Sequence, residues 1–237
     1  MLLRQLFDRE TWTYTYLVAD EKSRESLLID PVVERMPCYR QLLKELKLKL
    51  AYALDTHVHA DHVTALGSLR EEYGCETLIN DHALMNCASK KITDGDQIPL
   101  GELAFTSIYT PGHTDDSMCL YVKADEEGYL FTGDTLFIRG CGRTDFQNGD
   151  AGQLYDSLQT LLDNYPEDTW VYPAHDYKGW TRSTLGEERR FNPRLQVADK
   201  SAFIELMNNL DLPNPKFMDV AVPANLSCGK SRPTSTD

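Results

Sequence analysis

Hydrophobic residues along the chain form two kinds of pattern, and each predicts a different element. Short apolar runs rich in β-branched and aromatic residues are typical of strands. Eight such runs lie at residues 12–18, 26–29, 51–54, 76–79, 103–110, 118–122, 129–132 and 170–172. We expect each of them to form a strand.

Between these runs, apolar residues recur three or four positions apart, which is the spacing of one helix face. The sets are Met36, Tyr39, Leu43 and Leu46; Leu66, Leu69 and Tyr73; Leu154, Leu158 and Leu161; and Phe203, Leu206, Met207 and Leu210. The strands are too numerous for one sheet and are interspersed with these helices. The pattern therefore predicts a layered α/β architecture with two sheets.

Length and composition fit one globular domain with a modest appendage. The chain has 237 residues, of which 41% are hydrophobic and 26% charged, as in an ordinary soluble protein. No apolar run approaches the roughly 18 residues that cross a bilayer, so we expect no membrane partner. Arg4 and Asp8 come too early for a secretory segment. We expect a cytoplasmic protein with disorder confined to its ends, chiefly residues 230–237.

Charge and cysteine content narrow the partners. The formal net charge of −13 argues against a nucleic acid, because binding to a phosphate backbone depends on clustered Lys and Arg. The six cysteines show no CxxC spacing, so we expect them to be thiols in a reducing cytosol. A homodimer is the commonest assembly and the one we expect.

Candidate chemistry gathers at the ends of the predicted strands. Five of the six histidines and one aspartate follow such runs: His57, His59, His62, His113, His175 and Asp134. Loops at strand ends, held by a rigid sheet, are common places for sites. This gathering is improbable by chance, so the sequence predicts a metal site. His82 has no companion ligand, and we assign it no role there.

The stretch THVHADH (residues 56–62) has suitable spacing. Residues i and i+2 of an extended segment point the same way, so His57 and His59 can converge on one ion. Asp61 and His62 are expected to begin the second helix, with Asp61 available as its N-cap. The residues alone leave open one metal, two metals or a metal-free hydrogen-bond network.

Four motifs carry a resemblance to a known superfamily. In chain order they are THVHADH, PGHT (111–114), TGDTLF (132–137) and YPAHDY (172–177). Together they resemble the metallo-β-lactamase superfamily. The resemblance implies an αββα four-layer sandwich with the metal at one edge of two facing sheets. Residues 1–180 would form the catalytic core, and residues 181–237 a short extension, a C-terminal helix and tail packed on it.

Further stretches resemble one family within it, the persulfide (sulfur) dioxygenases. They are RQLFD (4–8), IRGCGRTDFQ (138–147), YPAHDYKG (172–179), EERRFNPRL (187–195) and VPANLSCG (222–229). This resemblance implies that glutathione persulfide is oxidised by O₂ and water to sulfite and glutathione. The reaction would occur at one non-haem Fe(II) and serve sulfide detoxification.

Carried onto the matching motifs, the resemblance implies three iron ligands: His57, His113 and Asp134. Two histidines and a carboxylate on one face of Fe(II) leave positions for a substrate sulfur and O₂. The remaining motif residues would orient these ligands and tune the metal: His59, Asp61, His62 and His175.

Glutathione carries two carboxylates, which Arg binds well in bidentate fashion. Residues at three positions surround the substrate in the family, so we expect the same of Arg139, Arg143 and Tyr177. The alternative is that the arginines pair with Asp145 or Asp150. Cys141 and Cys228 are candidate near-site thiols, with packing roles equally open.

The closest alternative function is a glyoxalase II-like hydroxyacylglutathione thioester hydrolase, in which all seven metal-site residues serve two metals. Only 62 residues follow His175, whereas that family has a larger helical substrate domain, and residues 138–146 and 222–229 follow the dioxygenase pattern. A non-catalytic iron- or sulfide-responsive binding protein is a third hypothesis. Open coordination positions argue against it.

Overall fold

Two six-stranded sheets account for the many short apolar runs. The computed structural model describes residues 1–213 and 217–230, so the predicted disorder of the tail falls, after Lys230, outside the described residues. Among the described residues, no helix has both the length and the apolarity that a membrane span needs.

In the first sheet the strands lie side by side in chain order. They are β1 (Leu2–Asp8), β2 (Thr13–Ala19), β3 (Glu25–Ile29), β4 (Lys49–Leu54), β5 (Glu76–Asn80) and β6 (Lys90–Ile92). The first three pair antiparallel, and β3 to β6 pair parallel. The carboxyl ends of β3 and β4 therefore meet at one edge, where Asp30 accepts a hydrogen bond from the backbone of Thr56.

The second sheet has the spatial order β12-β11-β10-β9-β8-β7. Its strands are β7 (Gln97–Leu100), β8 (Leu103–Tyr109), β9 (Met118–Ala124), β10 (Glu127–Gly133), β11 (Trp170–Pro173) and β12 (Ser183–Thr184). Only β10 and β11 pair parallel. As a result β8, β10 and β11 run in one direction, and the segments that follow them leave the same edge of the sheet.

Helices cover the outer face of each sheet. They are α1 (Met36–Glu45), α2 (Leu66–Tyr73), α3 (Ala151–Asn164), α4 (Leu185–Phe191), α5 (Lys200–Asn208) and α6 (Met218–Asn225). Buried side chains of α1 and α2 pack on the first sheet, together with residues that follow α6. Buried side chains of α3, α4 and α5 pack on the second. A third cluster lies between the sheets, where Leu54 and Phe131 are almost fully buried. These layers confirm the predicted αββα sandwich.

Two local predictions are wrong. The second helix begins at Leu66 with Ala65 as its N-cap, so Asp61 and His62 lie in a loop before it and Asp61 caps nothing. The cause is tertiary, because Ala65 N–H bonds to Pro31 O and Thr64 N–H to the Asn225 side chain. In addition, the described residues between 181 and 230 form β12 and three helices, where the sequence predicted one helix. Since β12 pairs with β11, the boundary at residue 180 stays a prediction.

Candidate metal centre

Loops from both sheets meet where β4, β8, β10 and β11 end. β4 leads to His57 and His59, β8 to His113, and β11 to His175. The loops are joined directly, since Met118 N–H at the start of β9 donates to Thr56 O. Gly133 ends β10 with a positive φ, and a Cβ there would lie 2.6 Å from Thr56 Oγ1. Glycine thus allows the Asp134 segment to approach the β4 loop closely.

The first group of candidate ligands is His57, His113 and Asp134, each of which offers one atom within 4.8 Å of the others. His113 Nε2 lies 3.4 Å from Asp134 Oδ2, and the His57 and His113 ring centres are 4.9 Å apart. These are the three residues that the family resemblance implies as iron ligands. The structure brings them together from three separate strand ends.

A second group consists of His59, Asp61 and His175, again within 4.8 Å. His175 Nε2 lies 3.6 Å from Asp61 Oδ2 and 3.5 Å from Asp134 Oδ1, so Asp134 stands between the two groups. His62 Nδ1 lies 2.9 Å from Asp61 Oδ2. The seven predicted residues therefore form one continuous cluster, which could hold one or two cations.

Hydrogen bonds fix which ring nitrogen of each histidine faces the centre. The single hydroxyl proton of Thr56 is donated to Asp30 Oδ2, so Thr56 Oγ1 accepts from His57 Nδ1–H. His113 Nδ1–H donates to Arg143 O at 2.7 Å, and His175 Nδ1–H to Trp12 O at 3.2 Å. In His57 and His113 the Nε2 atom keeps its lone pair, which is the form that binds a metal. Burial lowers the pKa of His175, but Asp134 and Asp61 outweigh it and raise that pKa.

Electrostatics also suit a cation. Burial lowers the pKa of His57 and His59 well below the usual value, so both are neutral. Burial raises the pKa of Asp61, but the neighbouring His62 and His175 outweigh it and hold that pKa well below its usual value. Within the seven-residue cluster, three buried atoms lack a hydrogen-bond partner among the described residues: His59 Nδ1, His62 Nε2 and Asp134 Oδ1. Unpaired buried polar atoms are costly, and a bound ion would satisfy them.

Sequence reasoning missed Asp30, which hydrogen-bonds Thr56 and His59 in the loop after β4. It is buried and accepts hydrogen bonds from Thr56 N–H, Thr56 Oγ1–H and His59 Nε2–H. Burial raises its pKa to about 6. Asp30 directly follows β3, as Asp134 follows β10, so the rule that found Asp134 could have found it.

Comparison with known proteins agrees with this geometry. Residues 13–185 match the metallo-beta-lactamase superfamily. Human "Persulfide dioxygenase ETHE1, mitochondrial" is 47% identical over 236 residues, which are 99% of this chain and 91% of that protein. The chain belongs to the persulfide dioxygenase family of the metallo-β-lactamase superfamily.

A solved structure and a more distant relative complete the comparison. The crystal structure of ETHE1 from Myxococcus xanthus is 49% identical, with a TM-score of 0.93 over 97% of this chain and all of that one. A protein of Schizosaccharomyces pombe named as a probable hydroxyacylglutathione hydrolase is 31% identical, over 87% of this chain and 90% of its own length. The alternative considered from sequence thus has a relative, at lower identity.

The two arginines of this family member that were predicted to bind substrate are paired within the protein. Arg139 forms ion pairs with Glu187 and the buried Glu188, and its backbone N–H donates to Glu188 at 2.7 Å. Arg143 binds Asp145 through two hydrogen bonds of 2.6 and 2.7 Å. Of the predicted alternative partners, Asp145 is used and Asp150 instead caps α3.

A cavity nevertheless lies beside Arg139. Arg139 lines a cavity of about 360 Å³ with Trp180, Arg182 and Glu187. Tyr177 is 61% exposed and its ring stacks on that of His175 at 6.1 Å, so the phenol stands at the mouth of the metal centre.

The two candidate near-site thiols differ from each other in the structure. Cys228 forms a disulfide with Cys87, which contradicts the prediction that all six cysteines are thiols and that Cys228 is a near-site thiol. The chain packs α6 against the segment before β6, which brings together two cysteines 141 residues apart. Cys141 Sγ contacts Met207 Sδ at 3.8 Å within the apolar layer of α3 and α5. Its side chain serves packing.

Proposed function

We propose that this chain is a persulfide dioxygenase that converts glutathione persulfide, O₂ and water into sulfite and glutathione, in sulfide detoxification. The observation that carries the proposal is the grouping of His57, His113 and Asp134 in a chain so similar to proteins of that name. Two histidines and one carboxylate are the ligand set of non-haem Fe(II) oxygenases.

Fe(II) fits the residues present, because their free Nε2 atoms and the unpaired Asp134 Oδ1 are suitable donors. When bound, it supplies the redox chemistry that lets O₂ react with the outer sulfur of the persulfide. His57, His113 and Asp134 would hold it. His59, Asp61, His62 and His175 would keep the carboxylate and the rings in place through the contacts described above.

For the substrate, the proposal gives the chain's residues binding and orienting roles. Tyr177 would donate its phenolic hydrogen bond at the mouth of the centre. Arg139 and Arg143 would bind the two glutathione carboxylates, for which each must exchange an acidic partner of the protein for one of the substrate. The protein would accelerate the reaction by holding the sulfur and O₂ side by side.

A hydroxyacylglutathione hydrolase is the second candidate, favoured by the second group, His59, Asp61 and His175, which could hold another cation. Metal analysis of anaerobically purified protein together with an O₂ electrode separates the two. We expect one iron per chain, and one O₂ consumed and one sulfite formed per glutathione persulfide. Two metals per chain, hydrolysis of a glutathione thioester and no O₂ uptake would contradict the proposal.

A homodimer and a cytoplasmic location stay predictions. The curated human relative is named as mitochondrial, and the Cys87–Cys228 disulfide does not fit a permanently reducing compartment. Light scattering on the purified protein and fractionation of the native cell test the two predictions.

A further inference from the structure

Asn225, the last residue of α6, makes hydrogen bonds that no motif predicts. Its side chain is fully buried. Nδ2 donates to His59 O at 2.9 Å and to His62 O at 2.8 Å, and Oδ1 accepts from Thr64 N–H at 2.8 Å. An amide has two N–H donors and one carbonyl acceptor, so every polar group of the Asn225 side chain is engaged with one short stretch of backbone.

That stretch is the metal loop, defined here as residues 57–64. It belongs to no helix or strand, so its buried carbonyl and N–H groups need partners from elsewhere. The Asn225 side chain provides three of these contacts. Two fall on the backbone of His59 and His62, and Asp61 lies between these residues.

The position of Asn225 is itself tightly fixed. Gly67 N–H in α2 donates to Cys228 O at 3.0 Å. Gly229 has a positive φ, and a Cβ there would overlap Thr64 O. The disulfide from Cys228 to Cys87 adds a covalent link. The backbone that follows Asn225 is therefore held in place at Cys228 and Gly229. A small displacement of the metal loop would break its three hydrogen bonds to the Asn225 side chain.

We propose that Asn225 is a positioning residue for the metal centre. Through the backbone it sets the separation of His59 and His62 and thereby the direction in which Asp61 and the two rings face. It does not contact the metal or the substrate. This inference rests on the proposed function in one respect, that the centre binds a metal. It does not depend on that metal being iron or on the substrate being a persulfide.

A matched control exists in the same part of the chain. Asn192 is also fully buried, and its Nδ2 donates to Gly140 O at 2.9 Å and Phe137 O at 3.3 Å. It therefore holds a backbone loop in the same way, but that loop carries Arg139 and no candidate metal ligand. Replacing either asparagine by alanine leaves buried carbonyl groups unpaired, so both variants are expected to lose stability.

The test is metal affinity of the full chain, measured by titrating metal-free protein with Co²⁺ and following its visible absorption. We expect Asn225→Ala to weaken binding by about tenfold or more and to change the spectrum, as for other partners of metal ligands. Asn192→Ala should weaken Co²⁺ binding less than Asn225→Ala does, because its loop carries no ligand and reaches the candidate ligands only through Arg143 O and Gly142 N–H. Amide hydrogen exchange should accelerate at residues 59–64 only in the Asn225 variant.

Should Asn225→Ala fail to fold, Asn225→Asp keeps the shape and the acceptor for Thr64 N–H but removes both donors. Equal Co²⁺ affinity in the wild-type protein and a folded Asn225 variant would overturn the inference. Wild-type protein that binds Co²⁺ but consumes no O₂ with Fe(II) would instead overturn the proposed function and leave the inference standing.

Discussion

Two loops of this protein border the metal centre, and they differ in whether their polar side chains have partners within the protein. Within the metal loop, one buried ring nitrogen of His59 and one of His62 have no hydrogen-bond partner among the described residues. The arginine loop, residues 137–143, has both its cations paired, Arg139 with Glu187 and Glu188 and Arg143 with Asp145. Both loops are held by buried asparagines from the C-terminal segment.

The difference teaches how to distinguish the two kinds of site. Unpaired buried ring nitrogens with free lone pairs indicate that a ligand from outside completes the structure. Paired arginines indicate a surface that is complete without a ligand, where binding must compete with existing ion pairs. The metal centre is therefore preorganised, and the substrate-binding role of the arginines depends on an exchange of partners.

The largest effect should come from the residue between the two ligand groups. Asp134→Ala removes the one carboxylate that lies near both His113 and His175. We expect turnover to fall by more than about 100-fold, beyond the range for residues that only contact ligands, with loss of bound metal. The measurements are metal content and O₂ uptake.

His82→Ala is the matched control for this loss. His82 is exposed and its ring stacks on Tyr109, away from both ligand groups. The assignment of Asp134 as a metal ligand would be contradicted if Asp134→Ala retained its metal and its turnover while His82→Ala behaved as wild type.

The disulfide is expected to have the next largest effect. It closes a sequence separation of 141 residues, so its loss should lower the free energy of unfolding by about 2–5 kcal/mol. Cys87→Ser and reduced wild-type protein should show the same decrease in denaturant unfolding. Cys38→Ser, which alters a free cysteine of α1, should not. Identical unfolding curves with and without reductant would exclude a stabilising disulfide.

Asp145→Asn tests the arginine loop. Asp145 is 55% exposed, so losing the ion pair should change the free energy of unfolding by less than about 1 kcal/mol. If Arg143 binds a substrate carboxylate, its release lowers KM for glutathione persulfide a few-fold, and Arg143→Gln raises it. The Arg143 side chain holds the pKa of Asp145 below its usual value. Because the carboxylate is then ionised at both pH 6 and pH 8, the effect should be equal at the two pH values.

The control for this effect is Asp163→Asn, which removes another exposed partner of an arginine, Arg189, at 3.3 Å. Its KM should equal that of wild type. Unchanged KM in both the Asp145 and Arg143 variants would mean that this arginine has a structural role only.

Local patterns were sufficient for most of the fold. All eight predicted strands and all four predicted helices are present, because period and β-branched content report burial of a face. β6 and β12 have only three and two residues, too few to show a period. β1 has intermediate burial through most of its length, and its pairing with β2 depends on the tertiary fold.

In the site, the sequence indicated which residues gather but not how their charges are balanced. The candidate ligands lie in motifs at strand ends, so position predicts that they gather, whereas only the family resemblance implied which of them hold the metal. The partners of Arg139 are 48 and 49 residues away, and those of Cys228 and Asn225 are farther still. Such pairings depend on the docking of α4 and α6, which local periodicity does not describe.

Cys141 should show the smallest effect, and this sharpens the contrast between the loops. It lies in the arginine loop, but burial raises the pKa of its thiol to about 12. Very little of the thiol would therefore be ionised at pH 8, and the thiolate is the form that reacts. Cys141→Ser should keep turnover within about twofold, and iodoacetamide at pH 8 should modify Cys38 in the folded protein and spare Cys141. Rapid alkylation of Cys141, with a loss of turnover that glutathione persulfide prevents, would contradict this. It would place Cys141 in the substrate site and show that the arginine loop carries a reactive thiol.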